Sequence, residues 1–296
     1  MGKQVIFSGV GTALVTPFHN GQIDFYSLGR IIDTQLEAGI DALVICGTTA
    51  ECATLSVKER YLLYRFAKER AEGKAKLIFG TGTNDTREAV RHTEYASKLG
   101  CDGVLVVTPY YNRGTRDGII KHYLTIAEAS GVPLLLYNVP SRTGVNLDIE
   151  MLTRLAECEK IVGIKEATDS LDRLVALSAL SDSLLLYSGN DGQIYPTLAL
   201  GGIGVISVVS NIYPKETMQI CKYFFANNPD KSLEMQKRLL PVINSLFLET
   251  NPTPVKYALS LLGLCSPEMR LPLSLPSERT QKAIEAALSE FSSKTE

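Results

Sequence analysis

Short runs of contiguous aliphatic residues recur along the chain, each followed by a segment with helical spacing of polar and apolar positions. The runs are GTALVTP (11–17), DALVICG (41–47), KLIFGTG (76–82), GVLVVTP (103–109), PLLLYNV (133–139), IVGIKEA (161–167), LLLYSGN (184–190) and GVISVVS (204–210). They are apolar at successive positions instead of every second one, which is the pattern of a parallel sheet covered on both faces. Their starts fall roughly 20 to 35 residues apart, room for a strand, a loop, a helix and a return. Between them, Ser56–Val57–Lys58–Glu59 has the form of a capping box and opens a helix to Arg70, and Thr86–Arg87–Glu88–Ala89 opens another that ends before Gly100. Gly39, Gly100 and Gly131 stand where helices should end ahead of the next strand.

Eight such units without a break in their order predict an α/β fold of the closed (β/α)8 TIM-barrel type, with no switch point of the kind an open doubly wound sheet carries. One more helix completes the barrel, yet helical character continues over 214–227, 230–249, 254–262 and 277–291. The chain therefore divides, as expected from sequence, into a barrel over 1–227 and a C-terminal helical extension over 228–296.

Composition narrows the function classes. Hydrophobic residues make up 45% and charged residues 21% of the 296, enough for a large core and against disorder as the main state. Thirty basic and thirty-two acidic residues leave a net charge of −2, and no basic run marks a nucleic-acid partner. The uncharged stretch 192–214 is interrupted by glycines, prolines, Ser207, Ser210 and Asn211, so no membrane span is expected. The N-terminus lacks a clear signal cleavage site, and Ile6 stands where a myristoylation motif wants Ser or Thr; a cytoplasmic protein is expected. Six scattered cysteines without CxxC read as free thiols, and His19, His92 and His122 have no ligand spacing, so no metal is expected.

In a parallel barrel the chemistry gathers at the C-terminal ends of the strands. Those ends are rich in hydroxyls here and poor in histidine. Lys165, ending Ile161–Val162–Gly163–Ile164, stands out: apolar walls weaken an amine's preference for its charged form and free it to attack a carbonyl. The bland alternative is a strand-end lysine paired with Glu166 in solvent. Lys256, in NPTPVKYAL, also has apolar neighbours and reads as a snorkelling helix lysine. Tyr137 ends a neighbouring strand and is a candidate proton carrier, with Thr48 as a relay; a satisfied core tyrosine is the competing reading. Gly47–Thr48–Thr49 forms a turn whose N–H groups suit an anion, and Arg142 offers a fork for a second carboxylate.

The segments GTTAE (47–51), TPYYN (108–112), YNVPSRTG (137–144), GIKEAT (163–168), SGND (188–191), GVISV (204–208), NPTPVK (251–256) and RLPL (270–273) together resemble the dihydrodipicolinate synthase, or 4-hydroxy-tetrahydrodipicolinate synthase, family over nearly the whole chain. The resemblance implies a class I aldolase-type lyase that joins pyruvate to L-aspartate 4-semialdehyde through a lysine Schiff base in diaminopimelate and lysine biosynthesis. It implies Lys165 as the Schiff-base lysine and Tyr137 as the proton donor, with Thr48 and Tyr111 completing the relay and Tyr111 supplied by a neighbouring subunit. Thr49 and Ile206 fall at positions that contact pyruvate, Gly189 at a further substrate-binding position, and Arg142 receives the carboxylate of the semialdehyde. It implies homotetramers built as dimers of dimers, without metal or organic cofactor. A feedback lysine would contact Ala53, Asn84, Glu88 and Tyr110, although Val57 and Arg60 replace histidines found in some members.

Two further departures are visible: Ala50 stands for the usual glycine of GTTGE and Asn190 for an acidic residue of SGDD. Ala50 requires a loop that tolerates a Cβ or has shifted slightly, and Asn190 alters the electrostatics near Gly189. The nearest rivals, N-acetylneuraminate lyase and the keto-acid aldolases, share the imine step; Arg142 within PSRTG and Glu166–Ala167 favour the synthase. A non-catalytic barrel used as a scaffold predicts decay among Lys165, Tyr137, Thr48, Tyr111 and Arg142, and the set is intact.

Overall fold

A computed structural model describes residues 2–293. Eight parallel strands, Gly9–Ala13, Ala42–Ile45, Lys76–Gly80, Gly103–Val107, Leu134–Asn138, Ile161–Glu166, Leu185–Ser188 and Gly204–Ser207, close into a barrel in which neighbours in sequence are neighbours in the sheet. All eight apolar runs thus become strands, and their flanking segments become the helices of a (β/α)8 TIM barrel. The strands end one to four residues before the runs do, because residues such as Thr16, Thr108 and Ser210 stay buried in the βα turns after the ladder has stopped.

Helix starts follow their caps. Ser56 accepts the Glu59 amide while Glu59 reaches back to the Ser56 amide, the reciprocal pair that satisfies two otherwise orphan donors of helix Val57–Ala71. Asp24, Asp85, Thr115, Asp148 and Ser170 cap five other helices through side-chain oxygens. At the other ends, Gly39 and Gly100 take the left-handed conformation expected of them (φ 78° in each). Gly131 does not: helix Arg116–Ala129 closes on Ser130, with an extended backbone. The C-terminal helices are Pro214–Phe225, Pro229–Leu246, Thr253–Leu261 and Glu278–Ser293, within a few residues of expectation.

A small antiparallel hairpin, Phe18–His19 against Gln22–Ile23, lies outside the run pattern. Its turn is Asn20–Gly21, both at positive φ (52° and 75°), which suits the right-handed twist of the flanking strands. The Asn-Gly signal was present, but the paired segments are too short to show a hydrophobic period.

The chain separates into two compact units, residues 1–9 with 76–206 and residues 10–75 with 207–296. In the first, Leu134, Leu135, Leu136, Ile161 and Ile164 are all buried, each worth roughly 1.5–3 kcal/mol against exposure. Strands Leu134–Asn138 and Ile161–Glu166 run in parallel register with Leu136 beside Ile164, Tyr137 beside Lys165 and Asn138 beside Glu166. On the other side of Ile161–Glu166, Gly163 allows strand Leu185–Ser188 to approach closely, since a Cβ there would lie 2.6 Å from the Leu185 carbonyl oxygen. In the second unit Leu43, Val44, Leu63 and Tyr64 are buried around helix Val57–Ala71, and Val242, Leu246, Val255 and Leu259 around the last helices. No helix among the described residues is long and apolar enough to cross a membrane, and none of the six cysteines is in a disulfide.

Candidate active site

Side chains alternate across a strand, so the register places Tyr137 and Lys165 together on one face and Asn138 and Glu166 together on the other. Both members of the first pair are buried, and Lys165 Nζ lies 4.4 Å from the centroid of the Tyr137 ring. An amine held against an aromatic ring, with a phenol on the same side chain, is an arrangement for attack on a carbonyl with a proton carrier alongside. Glu166 is committed elsewhere. Its carboxylate accepts from Asn138 Nδ2 at 2.9 and 3.0 Å and from Arg173 Nη2 at 3.1 Å, and it is fully buried. The solvent-exposed Lys165–Glu166 pair is therefore not formed. Burial pushes the Glu166 carboxyl up, against the opposing pull of Arg173 and Asn138.

The segment following Tyr137 is fixed at both ends. Val139 leads into a short helix, Pro140–Thr143, on which Arg142 is exposed. Thr143 receives the Thr108 hydroxyl at 3.0 Å, and Leu147 donates its amide to Asn138 Oδ1 at 3.0 Å while accepting from Arg173 Nη2 at 2.5 Å. Ile206 is buried near the end of its strand, and Gly189 donates to the Glu166 carbonyl at 2.7 Å. A Cβ at Gly189 would sit 2.9 Å from that carbonyl oxygen, so this backbone approach requires glycine. Asn190 caps the turn after it, accepting from Gly192 and donating to Asp169 Oδ1 at 2.9 Å. An acid there would face Asp169 as a like charge, so the amide suits its own neighbour.

Tyr111 is 92% exposed and holds a positive φ of 68°, while the Asn112 amide bonds back to the Tyr110 carbonyl across it. A tyrosine kept in the left-handed region costs about 1–3 kcal/mol, and burial of the side chain does not offset it here. Tyr110 and Asn84 are half-buried, Asn84 accepting from Asn112 Nδ2 at 3.0 Å, and Glu88 pairs with Arg91.

The second unit holds the Gly47–Glu51 loop. Thr48–Ala50 forms a single 3-10 turn after strand Ala42–Ile45, with the Ala50 and Glu51 amides bonded to the Gly47 and Thr48 carbonyls. Thr48 and Thr49 thereby supply the leading N–H groups of the turn. Ala50 shares this helical backbone, so its methyl is accommodated without strain, and the positive φ falls on Glu51 instead (55°). Thr49 is buried and its hydroxyl accepts from Asn251 Nδ2 at 2.9 Å. Ala53 is exposed in the next turn, whereas Arg60 is buried with Nη2 on the Cys52 carbonyl.

Lys256 departs from expectation. It does not snorkel: it is completely buried, its Nζ 2.6 Å from Glu51 Oε1 and 4.4 Å from the centroid of Phe18. Burial lowers its pKa, with Glu51 pulling the other way. Glu51 Oε2 also accepts the Arg270 amide at 3.0 Å, so one carboxylate ties the threonine loop to NPTPVK and RLPL. Asn138, Arg173 and Asn251 belong to these networks; in the sequence Asn138 is one of several polar strand-end residues, and Arg173 and Asn251 do not stand out. Their only signal there was position: an amide ending an otherwise apolar strand, and an arginine on the first turn after GIKEAT.

Among the described residues no cluster of His, Cys, Asp or Glu could hold a metal ion. The model of the dihydrodipicolinate synthetase family matches residues 6–291. A 4-hydroxy-tetrahydrodipicolinate synthase of Endomicrobium trichonymphae is 43% identical over 287 residues, covering 97% of this chain and 99% of that protein. The crystal structure of dihydrodipicolinate synthase from Thermotoga maritima superposes with a TM-score of 0.94 at 44% identity, covering 97% and 99% of the two chains. The chloride-inhibited enzyme of Acinetobacter baumannii, solved in complex with pyruvate, gives 0.94 at 39% identity over 97% and 99%.

Proposed function

The chain belongs to the dihydrodipicolinate synthetase family, and on that premise we infer that it condenses pyruvate with L-aspartate 4-semialdehyde, the lyase reaction leading to diaminopimelate and lysine. The observation that carries this reading is the buried Lys165 amine lying 4.4 Å from the Tyr137 ring at the ends of two neighbouring strands.

In the proposed reaction, Lys165 Nζ attacks the keto carbon of pyruvate and water leaves, forming an imine. Tyr137 protonates the departing hydroxyl, and Thr48 and Tyr111 relay protons to and from it. Loss of a methyl proton gives the enamine, whose carbon attacks the aldehyde carbon while the aldehyde oxygen takes up a proton. The substrate's own amino group then displaces Lys165 from the imine carbon, closing the ring and regenerating the free amine. Thr49 and Ile206 are assigned to pyruvate, Gly189 to substrate binding, and Arg142, with its planar fork, to the carboxylate of the semialdehyde.

The exposure and left-handed backbone of Tyr111 support its use by a second copy of the chain, in a homotetramer arranged as a dimer of dimers. Ala53, Asn84, Glu88 and Tyr110 are assigned to an effector lysine. Arg60, committed to the Cys52 carbonyl, puts a fixed cation where some members carry histidine, and we assign weak inhibition to this chain. Inhibition by L-lysine matching that of a histidine-bearing member would overturn that assignment.

Borohydride reduction in the presence of pyruvate, followed by peptide mass spectrometry, tests the central reading. A reduced pyruvate adduct on Lys165 is expected; an adduct elsewhere, or none, overturns it. Turnover with the semialdehyde, run beside N-acetylneuraminate cleavage, tests the second substrate, and activity only on the latter would reassign it.

A further inference from the structure

Behind the Lys165–Tyr137 face lies a second polar cluster, built on the buried Asn138 and Glu166, that the proposed chemistry does not use. Asn138 and Glu166 are the next register pair along the same two strands and point to the opposite side. The Asn138 amide donates to both Glu166 oxygens and to Asn146 Oδ1 at 2.8 Å, and its own oxygen accepts the Leu147 amide. Arg173 closes the circuit by reaching Glu166 Oε2 with Nε and Nη2 (3.3 and 3.1 Å) and the Leu147 carbonyl with Nη2.

The consequence is geometric. Segment 139–147 leaves the strand immediately after Asn138 and returns at Leu147 to the side chain of that same Asn138. Its neck is closed by one amide and one guanidinium, both anchored on the carboxylate next to Lys165. Arg142 rides on this segment. A buried ion pair is a poor source of stability, because the desolvation of both charges offsets their attraction. Its use here is as a rigid link, and each of its members is hydrogen-bonded.

We propose that Asn138, Glu166 and Arg173 are positioning residues that set the place of the Arg142 segment relative to the Lys165 imine, and so control the second substrate without touching it. This rests on the assignment of Lys165 to pyruvate and Arg142 to the semialdehyde. It predicts a division of effects. The pyruvate half-reaction, made by Lys165 and Tyr137 on the other face, should be indifferent to the cluster. The semialdehyde half should suffer, since displacement of a binding group by about 1 Å costs on the order of 100-fold.

Two variants of the cluster test this, with Arg142→Lys, alone and combined, as the coupling control. Arg173→Lys keeps the charge but cannot span Glu166 and Leu147 as a planar fork. The double variant Glu166→Gln/Arg173→Met removes both charges, so that no unpaired ion is left buried to unfold the chain. The expected result is borohydride trapping of pyruvate on Lys165 within about twofold of the parent, with kcat/KM for the semialdehyde down about tenfold or more, carried by KM. Combining Arg173→Lys with Arg142→Lys should be markedly less than additive. Unchanged semialdehyde kinetics in both variants, strict additivity, or a parallel fall in pyruvate trapping would overturn the inference while leaving the Lys165 reading intact. Failure of the unsubstituted chain to trap pyruvate would overturn both.

Discussion

Lys165 and Tyr137 are register partners at the ends of adjacent parallel strands, with the lysine Nζ 4.4 Å from the tyrosine ring. Two functions of the tyrosine are thereby separable: the ring packs the amine, and the hydroxyl is the proposed proton carrier.

Tyr137→Phe keeps the ring and removes the hydroxyl. Its kcat should fall about 100- to 10,000-fold, the usual worth of a positioned proton carrier, while borohydride still traps pyruvate on Lys165, more slowly. Single-turnover trapping measures this, and a kcat within threefold or so of the parent would remove Tyr137 from the proton path.

Lys256 and Glu51 form an ion pair from which solvent is wholly excluded. Lys256→Met strands the Glu51 carboxylate in the interior and should lower stability by about 3–5 kcal/mol, whereas Glu51→Gln/Lys256→Met should recover much of that loss. Urea unfolding of the three proteins checks it; equal stability of the single and double variants would show that the pair is not coupled.

Glu59 accepts from Arg270 and from Ser56, which hold its carboxyl down to about 2. Its unfolded-state value lies near 4.3, so the unfolded chain binds the proton first and the associated stability, present above that value, is lost as pH falls through about 2. After allowance for solvent screening at this part-exposed pair the loss is about 1–2 kcal/mol. Glu59→Gln should show a flatter stability profile over that acid window.

His122 is buried, with Nδ1 3.0 Å from the Thr86 hydroxyl, and burial pulls its pKa down to about 4 despite the nearby Asp85. The unfolded imidazole takes up its proton near pH 6.5, so folding stability rises with pH between about 4 and 6.5 and is lost on acidification through that interval. His122→Phe, which keeps a ring against Tyr123, should lose about 3 kcal/mol less between pH 6.5 and 4 than the parent. Coincident profiles for the two proteins would show that His122 does not titrate in folding.

The barrel follows from local pattern alone. Unbroken aliphatic runs, helix caps such as Ser56 with Glu59, and C-cap glycines at 39 and 100 are read from residues a few positions apart, and the eight strands and their helices follow from them. Lys165 was legible for the same reason, as a cation ending an apolar strand. Which polar groups meet is another matter, fixed by packing between distant segments. Lys256 sits on a helix whose local pattern cannot say which face is covered, and its partner Glu51 is 205 residues away in sequence. Glu166 was open to Lys165, one residue before it, yet pairs with Arg173, because alternation along the strand turns adjacent side chains to opposite faces. Local patterns choose elements; the choice of partner for a buried charge is made by desolvation, which exists only once the barrel has closed around it.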